Sequence, residues 1–237
     1  MKKFSVAVLC IALVFILFFY LLTRLLPMPE NCETFAPARY QGITLLIDAG
    51  HGGEDGGAVS LSGKKESTIN LAIAQRLELI LALYGVQTVM LRSEDISLHD
   101  PDADTLREKK NSDLHNRAAA VNGVENAILI SIHQNSYPKP IYYGAQVFYA
   151  PTEGSLAFAE FTQEVLRTSL DPGNNRAATQ IPGTVYLMNH ISCPAILVEC
   201  GFLSNPAEDL MLQTPEYQQM IALSLAGAYL QYQHMIG

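Results

Sequence analysis

Basic residues are scarce in this sequence. The chain has 237 residues, with 15 Lys and Arg against 23 Asp and Glu, so its formal net charge is −8. Three of the basic residues, Lys2, Lys3 and Arg24, precede residue 27 in a stretch without acids, which leaves the remainder with a net charge of −11. Such a surface repels nucleic acid and anionic lipid, so neither is an expected ligand, although a bound metal ion could still supply a local positive centre.

Cysteine is also rare, and no CxxC pair occurs. The four cysteines therefore do not form a zinc-finger pattern. Cys193 and Cys200 flank an apolar run, where buried free cysteine is the common arrangement. No internal repeat is apparent, and the length fits one full-sized domain or two small ones.

A long apolar run is present only at the N-terminus. Phe4 to Leu22 holds a single polar residue, Ser5, and its nineteen residues are close to the ~20 needed to span a bilayer core. No small-x-small cleavage site follows it, so we expect an uncleaved signal-anchor at residues 1–26. Lys2 and Lys3 place the N-terminus in the cytoplasm and the rest of the chain outside the membrane.

The remainder divides into a linker and a domain of α/β class. Residues 27–42 contain three prolines and little periodicity, which predicts a linker. In residues 43–237, short β-rich runs alternate with helical patterns, which is typical of a largely parallel sheet. Residues 94–112 are polar and predict a loop. The predicted strands are 43–48, 86–91, 127–132, 145–150, 185–188 and 195–200, and the predicted helices are 66–84, 113–122, 155–169 and 215–228.

Two histidines and two glutamates are predicted to meet at one edge of this sheet. His51 follows the first strand, His133 ends the third, Glu199 lies in the last, and Glu66 opens the helix after the first strand. In open parallel sheets, chemistry gathers at the carboxyl ends of the strands. Two histidines and one glutamate with an open position are a standard catalytic zinc set, and a further carboxylate is the expected general base.

Each of these residues has a simpler alternative explanation. A lone histidine at a strand end is more often a satisfied polar residue than a ligand. Glu66 could be a helix N-terminal acid favoured by the dipole. Glu199 is harder to explain without a partner, because it directly follows the apolar run Ala195–Val198. The other four histidines, His99, His115, His190 and His234, are interpreted as surface or structural residues.

The glycine-rich segment after the first strand does not fit a phosphate loop. In a dinucleotide fingerprint, Asp55 would occupy the place of the third glycine. A P-loop ending at Lys64 would need glycine at Ala58 and Ser or Thr at Lys65. We therefore interpret the glycines as residues that let the backbone turn sharply around His51.

Four separated motifs, IDAGHGGEDGGA, KESTINLA, ILISIHQN and PAILVECGFLSNPAE, resemble the zinc-dependent N-acetylmuramoyl-L-alanine amidases of bacterial cell walls. The resemblance runs from Ile43 to about Gln233. It implies a three-layer α/β/α domain with a mixed, mostly parallel sheet. It also implies one zinc ion per chain, held by the residues His51, Glu66 and His133, with Glu199 as the catalytic glutamate. The implied reaction is hydrolysis of the amide between the lactyl group of N-acetylmuramic acid and L-alanine in peptidoglycan.

The segment REKKNSDLHNRAAAVN is similar to the spore-cortex branch of this family, the germination-specific amidases. That branch removes stem peptides so that muramic-δ-lactam can form in the cortex, together with a deacetylase. Gln134 departs from many relatives, which carry a small residue there; we expect it at the rim of the cleft, away from the ligands. No autoinhibitory helix is apparent, so we expect control by timing of expression or by a protein partner at the membrane.

Two residues are candidates for substrate binding. Asn135 could bind substrate or orient His133, or simply end a strand in a turn. Arg176 could pair with a stem-peptide carboxylate, or form a surface ion pair. Two other functions also remain open: a zinc carboxypeptidase or other peptidase with the same ligands, and a wall-binding module without activity.

Overall fold

The structure is a computed structural model that describes residues 42–236. The predicted anchor at residues 1–26, and the linker up to residue 41, lie outside the described residues. Among the described helices, none combines the length and the apolar character needed to cross a membrane.

A six-stranded sheet forms the centre of the domain. Its strand order is β2-β1-β3-β6-β4-β5. The strands β1, β2, β3 and β6 run parallel, β4 is antiparallel to β6, and β5 is parallel to β4. The expected mixed, mostly parallel sheet is confirmed. The strand bounds are β1 Thr44–Ala49, β2 Thr88–Met90, β3 Ala127–Asn135, β4 Gln146–Tyr149, β5 Thr179–Gln180 and β6 Ala195–Phe202.

Helices cover both faces of the sheet. Helices α1, α3 and α6 contribute to a hydrophobic core on one face, and α2 and α4 contribute to a core on the other. This arrangement confirms the three-layer α/β/α architecture. The helix bounds are α1 Glu66–Leu83, α2 Leu106–Asn122, α3 Ser155–Leu170, α4 Tyr186–Asn189, α5 Pro206–Leu212 and α6 Pro215–Ile236.

Alternate residues of the central strand β3 pack into the two cores on opposite faces of the sheet. Ile128, Ile130 and Ile132 belong to the core under α1 and α6, whereas Ala127 and Leu129 belong to the core under α2 and α4. Both faces are buried, as expected for a central strand of a parallel sheet. Because successive side chains alternate, the polar residues at the end of this strand are divided between the two faces.

The helix α2 begins seven residues earlier than the sequence pattern predicts. Thr105 caps it: its side chain accepts a hydrogen bond from the Glu108 backbone N–H at 3.2 Å, and the Glu108 carboxylate accepts one from the Thr105 N–H at 2.9 Å. This capping box satisfies backbone donors at the helix start. The prediction of a loop up to residue 112 is therefore wrong for its last seven residues, because the first two turns of this helix are polar after the exposed Leu106 and show no apolar period.

The prediction of a strand at residues 185–188 is also wrong. Residues 186–189 form the short helix α4, in which the adjacent residues Leu187 and Met188 are both buried. A half-exposed strand would bury alternate residues instead. The strand β5 and the helix α5 are not predicted by the sequence pattern; α5 begins after Asn205, whose side chain accepts hydrogen bonds from the N–H groups of Ala207 and Glu208. Cys193 and Cys200 are both free; Cys200 is buried, whereas Cys193 is only partly buried.

A buried ion pair ties α2 to the centre of the sheet. The Arg117 guanidinium donates hydrogen bonds to Asp48 in β1 and, from Nε at 2.7 Å, to Asp113. Asp48 also accepts a hydrogen bond from the Ser131 hydroxyl at 2.6 Å. Burial opposes ionisation of Asp48, but the charge of Arg117 and the bond from Ser131 outweigh it and hold its pKa below the ordinary value.

Replacing Arg117 with Met is expected to destabilise the fold by about 3–5 kcal/mol, because it leaves the Asp48 carboxylate buried and unpaired. In the native protein the lowered pKa of Asp48 means that the pair stabilises the fold above the unfolded pKa of about 4, and this contribution is lost as the pH falls through the folded pKa. In the variant, the charge of Arg117 no longer opposes the effect of burial, so the pKa of Asp48 rises and protonation at low pH relieves the penalty.

Urea unfolding of both proteins at pH 7 and pH 4 measures this difference. We expect a smaller gap in the free energy of unfolding at pH 4. The double variant Asp48→Asn with Arg117→Met should recover part of the loss. An equal gap at both pH values would show that lost packing, rather than an unpaired charge, causes the effect.

Candidate metal and catalytic site

His51, Glu66 and His133 come together at the carboxyl ends of β1 and β3. Each offers one ligand atom, and these atoms all lie within 4.8 Å of one another. The Glu66 carboxylate lies between the two rings, with Oε2 at 3.3 Å from His51 Nε2 and Oε1 at 3.0 Å from His133 Nδ1. The structure thus brings together three residues that the topology of the sequence places at one edge of the sheet.

His51 has a left-handed backbone, with φ of 62°. This conformation costs a non-glycine residue about 1–2 kcal/mol. Arg117 holds the turn by donating a hydrogen bond to the His51 carbonyl at 2.8 Å. The ring is fixed as well, because His51 Nδ1 donates to Asp55 Oδ2 at 3.0 Å, which leaves Nε2 directed toward Glu66.

The cluster has strongly shifted pKa values. Burial lowers the pKa of His51, but the hydrogen bonds and charges of Asp55 and Glu66 outweigh it and raise this pKa to about 9. Burial raises the pKa of Glu66, but both histidines lower it far below its usual range. The hydrogen bond from His51 likewise lowers the pKa of Asp55. The carboxylates of Glu66 and Asp55 therefore stay ionised, and their negative charge favours a positive charge beside them.

Backbone and side-chain donors hold the Glu66 carboxylate in place. Its Oε2 accepts a hydrogen bond from the Ala58 N–H at 2.9 Å, and its Oε1 accepts from the Gln134 N–H at 3.1 Å and from Asn70 Nδ2 at 3.3 Å. Glu66 is the first residue of α1, so the helix-dipole explanation also applies. Its carboxylate nevertheless points into the cluster, which a capping role alone does not require.

Asn70 and Gln134 form a buried hydrogen-bond network around the Glu66 carboxylate. The sequence pattern does not predict this role. Asn70 Nδ2 also donates to the Gly50 carbonyl at 3.1 Å, and Gln134 Nε2 donates to Asn70 Oδ1 at 3.1 Å. Gln134 is only 3% exposed, so its expected position at the rim of the cleft is wrong. The alternation of β3 could have shown this, because residues 133 and 134 of one strand point to opposite faces.

Two glycines are required by close approach. A Cβ atom at Gly50 would lie 2.2 Å from the ring of His133, and one at Gly57 would lie 2.5 Å from Glu66 Oε2. Gly57 also has φ of 68°, which favours glycine. The glycine-rich segment therefore does more than turn around His51, since its backbone packs directly against the ligand side chains.

Glu199 lies beside the cluster, opposite His133 in the pairing of β3 and β6. Its Oε2 is buried and has no hydrogen-bond partner in the part of the chain that the structure describes. Burial raises its pKa to about 7, and the charge of Glu66 adds to this rise, while the two histidines oppose it. A carboxyl group with such a pKa can both accept and donate a proton near neutral pH.

The cluster opens into a cleft of about 210 Å³ between α2 and α4. One wall is apolar and comes from α4, its flank and β6. The other wall comes from α2 and carries charge. The side chains that define the cleft beside the cluster are Lys110, Asp113 and Leu114 on one side and Val185, Leu187, Met188 and Leu197 on the other.

The two candidate substrate-binding residues do not line this cleft. Asn135 ends β3, and its carbonyl accepts a hydrogen bond from the Leu203 N–H at 2.8 Å. Arg176 donates to the Tyr143 carbonyl and to Gln146 Oε1, both at 2.8 Å, and lies over the Phe202 ring at 4.6 Å. Binding of substrate by these two residues stays a prediction.

Comparison with known proteins identifies the family of this chain. Residues 45–230 match the family described as N-acetylmuramoyl-L-alanine amidase. The chain is similar to the germination-specific N-acetylmuramoyl-L-alanine amidase of Bacillus subtilis, with 36% identity over 193 residues, covering 81% of this chain and 80% of that protein. It is 26% identical to the amidase AmiA of Escherichia coli, covering 80% of this chain and 76% of the relative.

Solved structures show the same fold. The CwlD amidase from Clostridioides difficile, in complex with the GerS lipoprotein, superposes with a TM-score of 0.78 at 34% identity, covering 81% of this chain and 98% of that chain. The family match spans most of the chain, and the described cluster lies within it. This chain therefore belongs to the N-acetylmuramoyl-L-alanine amidase family and is an enzyme of that class, acting on peptidoglycan.

Proposed function

We propose that this amidase depends on zinc and hydrolyses the bond between the lactyl group of N-acetylmuramic acid and L-alanine. In this proposal His51, Glu66 and His133 hold the metal and Glu199 is the general base. The observation that carries the proposal is the convergence of three ligand atoms within 4.8 Å beside a buried carboxylate oxygen of Glu199, for which residues 42–236 provide no hydrogen-bond partner.

The residues present fit a catalytic zinc ion. Two imidazole nitrogens and one carboxylate are a common catalytic donor set, which leaves a position for water. The hydrogen bond from His51 Nδ1 to Asp55 matches the carboxylate–histidine arrangement that orients ligands in zinc sites. When bound, zinc would lower the pKa of a water molecule and stabilise negative charge on the substrate carbonyl oxygen.

Glu199 can perform the proton transfers of the reaction. As a carboxylate it accepts a proton from the water that attacks the lactyl carbonyl carbon. It then returns this proton to the amide nitrogen, so that the carbon–nitrogen bond breaks and L-alanine leaves with a free amino terminus. A pKa of about 7 suits both steps. Leu187, Met188 and Leu197 contribute apolar surface to the cleft beside Glu199.

Two other functions explain the same observations less well than the amidase reaction does. A zinc carboxypeptidase could employ the same ligands, but family membership favours cleavage of the muramoyl amide. A wall-binding module without activity would not need the cluster of His51, Glu66 and His133 beside Glu199. Product masses separate these possibilities, because a carboxypeptidase shortens the stem peptide from its other end.

We also propose a place for the enzyme at the cell envelope. Residues 1–26 would anchor it, residues 27–42 would form the linker, and residues 43–237 would be the catalytic domain outside the membrane. The similarity to a germination-specific amidase supports a role in spore cortex, as a step toward muramic-δ-lactam. The complex of a similar amidase with a lipoprotein supports a protein partner.

Replacing Glu199 with Gln is expected to lower kcat by about 10²–10⁴, because the amide keeps the shape of the side chain but cannot accept the proton. The measurement is the release of free L-alanine amino termini from purified peptidoglycan, by mass analysis. Zinc content should not fall, since Glu199 is not a proposed ligand. Glu164→Gln, at an exposed pair with Arg167, is the matched control. Full activity of Glu199→Gln would disprove its assignment as the base.

Replacing Asp55 with Asn is expected to lower zinc affinity by about 10–100-fold, because His51 Nδ1 loses its carboxylate partner. Competition with a chelator measures this affinity without relying on activity. Glu54→Gln is the matched control, since the neighbouring Glu54 pairs with Lys109 outside the cluster. Equal affinities of the two variants would rule out a role for Asp55 in holding His51.

The proposed cortex role can be tested by complementation. In a spore-former that lacks its own germination-specific amidase, this chain should restore muramic-δ-lactam to the cortex, and the Glu199→Gln variant should not. Muropeptide analysis of purified spores provides the measurement. Release of L-alanine termini in vitro, without δ-lactam in the complemented spores, would separate the amidase activity from the cortex role.

A further inference from the structure

Lys110 is the exposed cation at the mouth of the cleft. Its side chain is 55% exposed, and it lines both the cleft and a neighbouring recess of about 150 Å³. Arg117 also borders the cleft, but it is buried and engaged by Asp48 and Asp113. Among the described residues that line the cleft, Lys110 is thus the cation whose charge is open to solvent.

The charge of Lys110 is only loosely paired. Its ammonium nitrogen lies 3.4 Å from Asp55 Oδ2, beyond a normal hydrogen bond between charged groups, and no other partner of this group is found between residues 42 and 236. Asp55 has better partners, since Oδ2 accepts from His51 at 3.0 Å and Oδ1 from the Gly57 N–H at 3.2 Å. The neighbouring Lys109 contrasts with it, because Lys109 bonds both oxygens of Glu54, at 2.9 and 2.7 Å.

Lys110 lies close to the proposed zinc ligands. The distances from His51 Nδ1 and from Lys110 Nζ end at the same Asp55 oxygen, at 3.0 Å and 3.4 Å, so these two nitrogens are at most 6.4 Å apart. Neighbouring residues of a peptide have Cα atoms about 3.8 Å apart. A group on the residue that follows L-alanine in the substrate is therefore within reach of Lys110 when the scissile amide lies at the cluster.

The substrate offers one acidic group at this distance. The lactyl carboxyl of muramic acid is consumed in the scissile amide, and L-alanine has no charged side chain. The second residue of the stem peptide is a γ-linked D-glutamate, whose α-carboxyl is either free or amidated. We propose that Lys110 binds this α-carboxylate and makes the enzyme prefer stem peptides in which it is free. This inference rests on the proposed cleavage of the muramoyl–alanine amide.

The recess beside Lys110 supports this assignment. It lies between α2 and the segment after β1. Its polar lining comes from Lys110, Lys109 and Ser97 and from three carboxylates, Glu54, Asp55 and Asp113. Glu54 is paired with Lys109, and Asp55 accepts from His51. Asp113 is already engaged, because it accepts from the Leu98 N–H at 2.6 Å and from Arg117. The ammonium group of Lys110, whose described partner is Asp55 at 3.4 Å, is thus a weakly engaged donor at the opening between recess and cleft.

The test compares two disaccharide tripeptides that differ only at the second residue, as free α-carboxylate or as carboxamide. The native enzyme should have a kcat/KM about tenfold higher for the free acid, the size expected for one charged hydrogen bond. Lys110→Met should lose this preference, mainly through KM, and Lys110→Arg should retain part of it. Lys109→Met is the matched control and should keep the native preference.

Binding and metal content complete the test. The Glu199→Gln protein should bind the free acid more tightly than the amide, and this difference should disappear when Lys110→Met is added. Zinc content is measured for every variant. An equal loss on both substrates in Lys110→Met would overturn the inference, because Lys110 would then act by orienting Asp55. An unchanged preference would overturn it as well.

The two proposals fail in different ways. If the native enzyme releases no L-alanine termini from either compound, the proposed function itself is wrong and the inference falls with it. If both compounds are cleaved with equal kcat/KM, only the inference is wrong, and the assignments of His51, Glu66, His133 and Glu199 stand.

Discussion

The site depends on one carboxylate, that of Glu66, shared between His51, which follows β1, and His133 in β3. Its two oxygens lie 3.3 Å from His51 and 3.0 Å from His133, so a single side chain joins the ends of β1 and β3. Three N–H donors fix it, and two of them come from the backbone. A charge held this way is already oriented before any ligand arrives, which is the condition for a strong electrostatic site.

The packing around the cluster follows from this shared carboxylate. The rings of His51 and His133 must approach it closely, with centroids 5.0 Å apart, so the surrounding chain has little room. Gly50 and Gly57 supply backbone without side chains at the two tightest contacts. Arg92 secures the same segment by donating to the carbonyl groups of Ala49 and Gly50, at 2.7 and 3.1 Å. The glycine-rich loop is thus held rigidly, although its composition suggests flexibility.

Much of the site could be predicted from the sequence, because it depends on topology. The carboxyl ends of parallel strands share an edge, so His51, His133 and Glu199 could be grouped without coordinates. The start of α2 could not, because its first turns are polar and its cap at Thr105 is a short-range signal among many charged residues. The hydrogen bond from His51 to Asp55 could not be predicted either, since three acids lie near this histidine in sequence and only the backbone turn selects one of them.

The partners of Arg117 and Gln134 show a further limit. Arg117 lies 69 residues from Asp48, and no local pattern predicts that they pair inside the protein. Gln134 and His133 are neighbours in sequence, but their side chains lie on opposite faces of β3. The His133 ring belongs to the cluster, whereas the Gln134 side chain bonds Asn70. A slip of one residue in the pairing of β3 would exchange them and would also separate Ser131 from Asp48. The register of the sheet therefore determines the composition of the site, because the contacts that bury the core strands also decide which side chains reach the cleft.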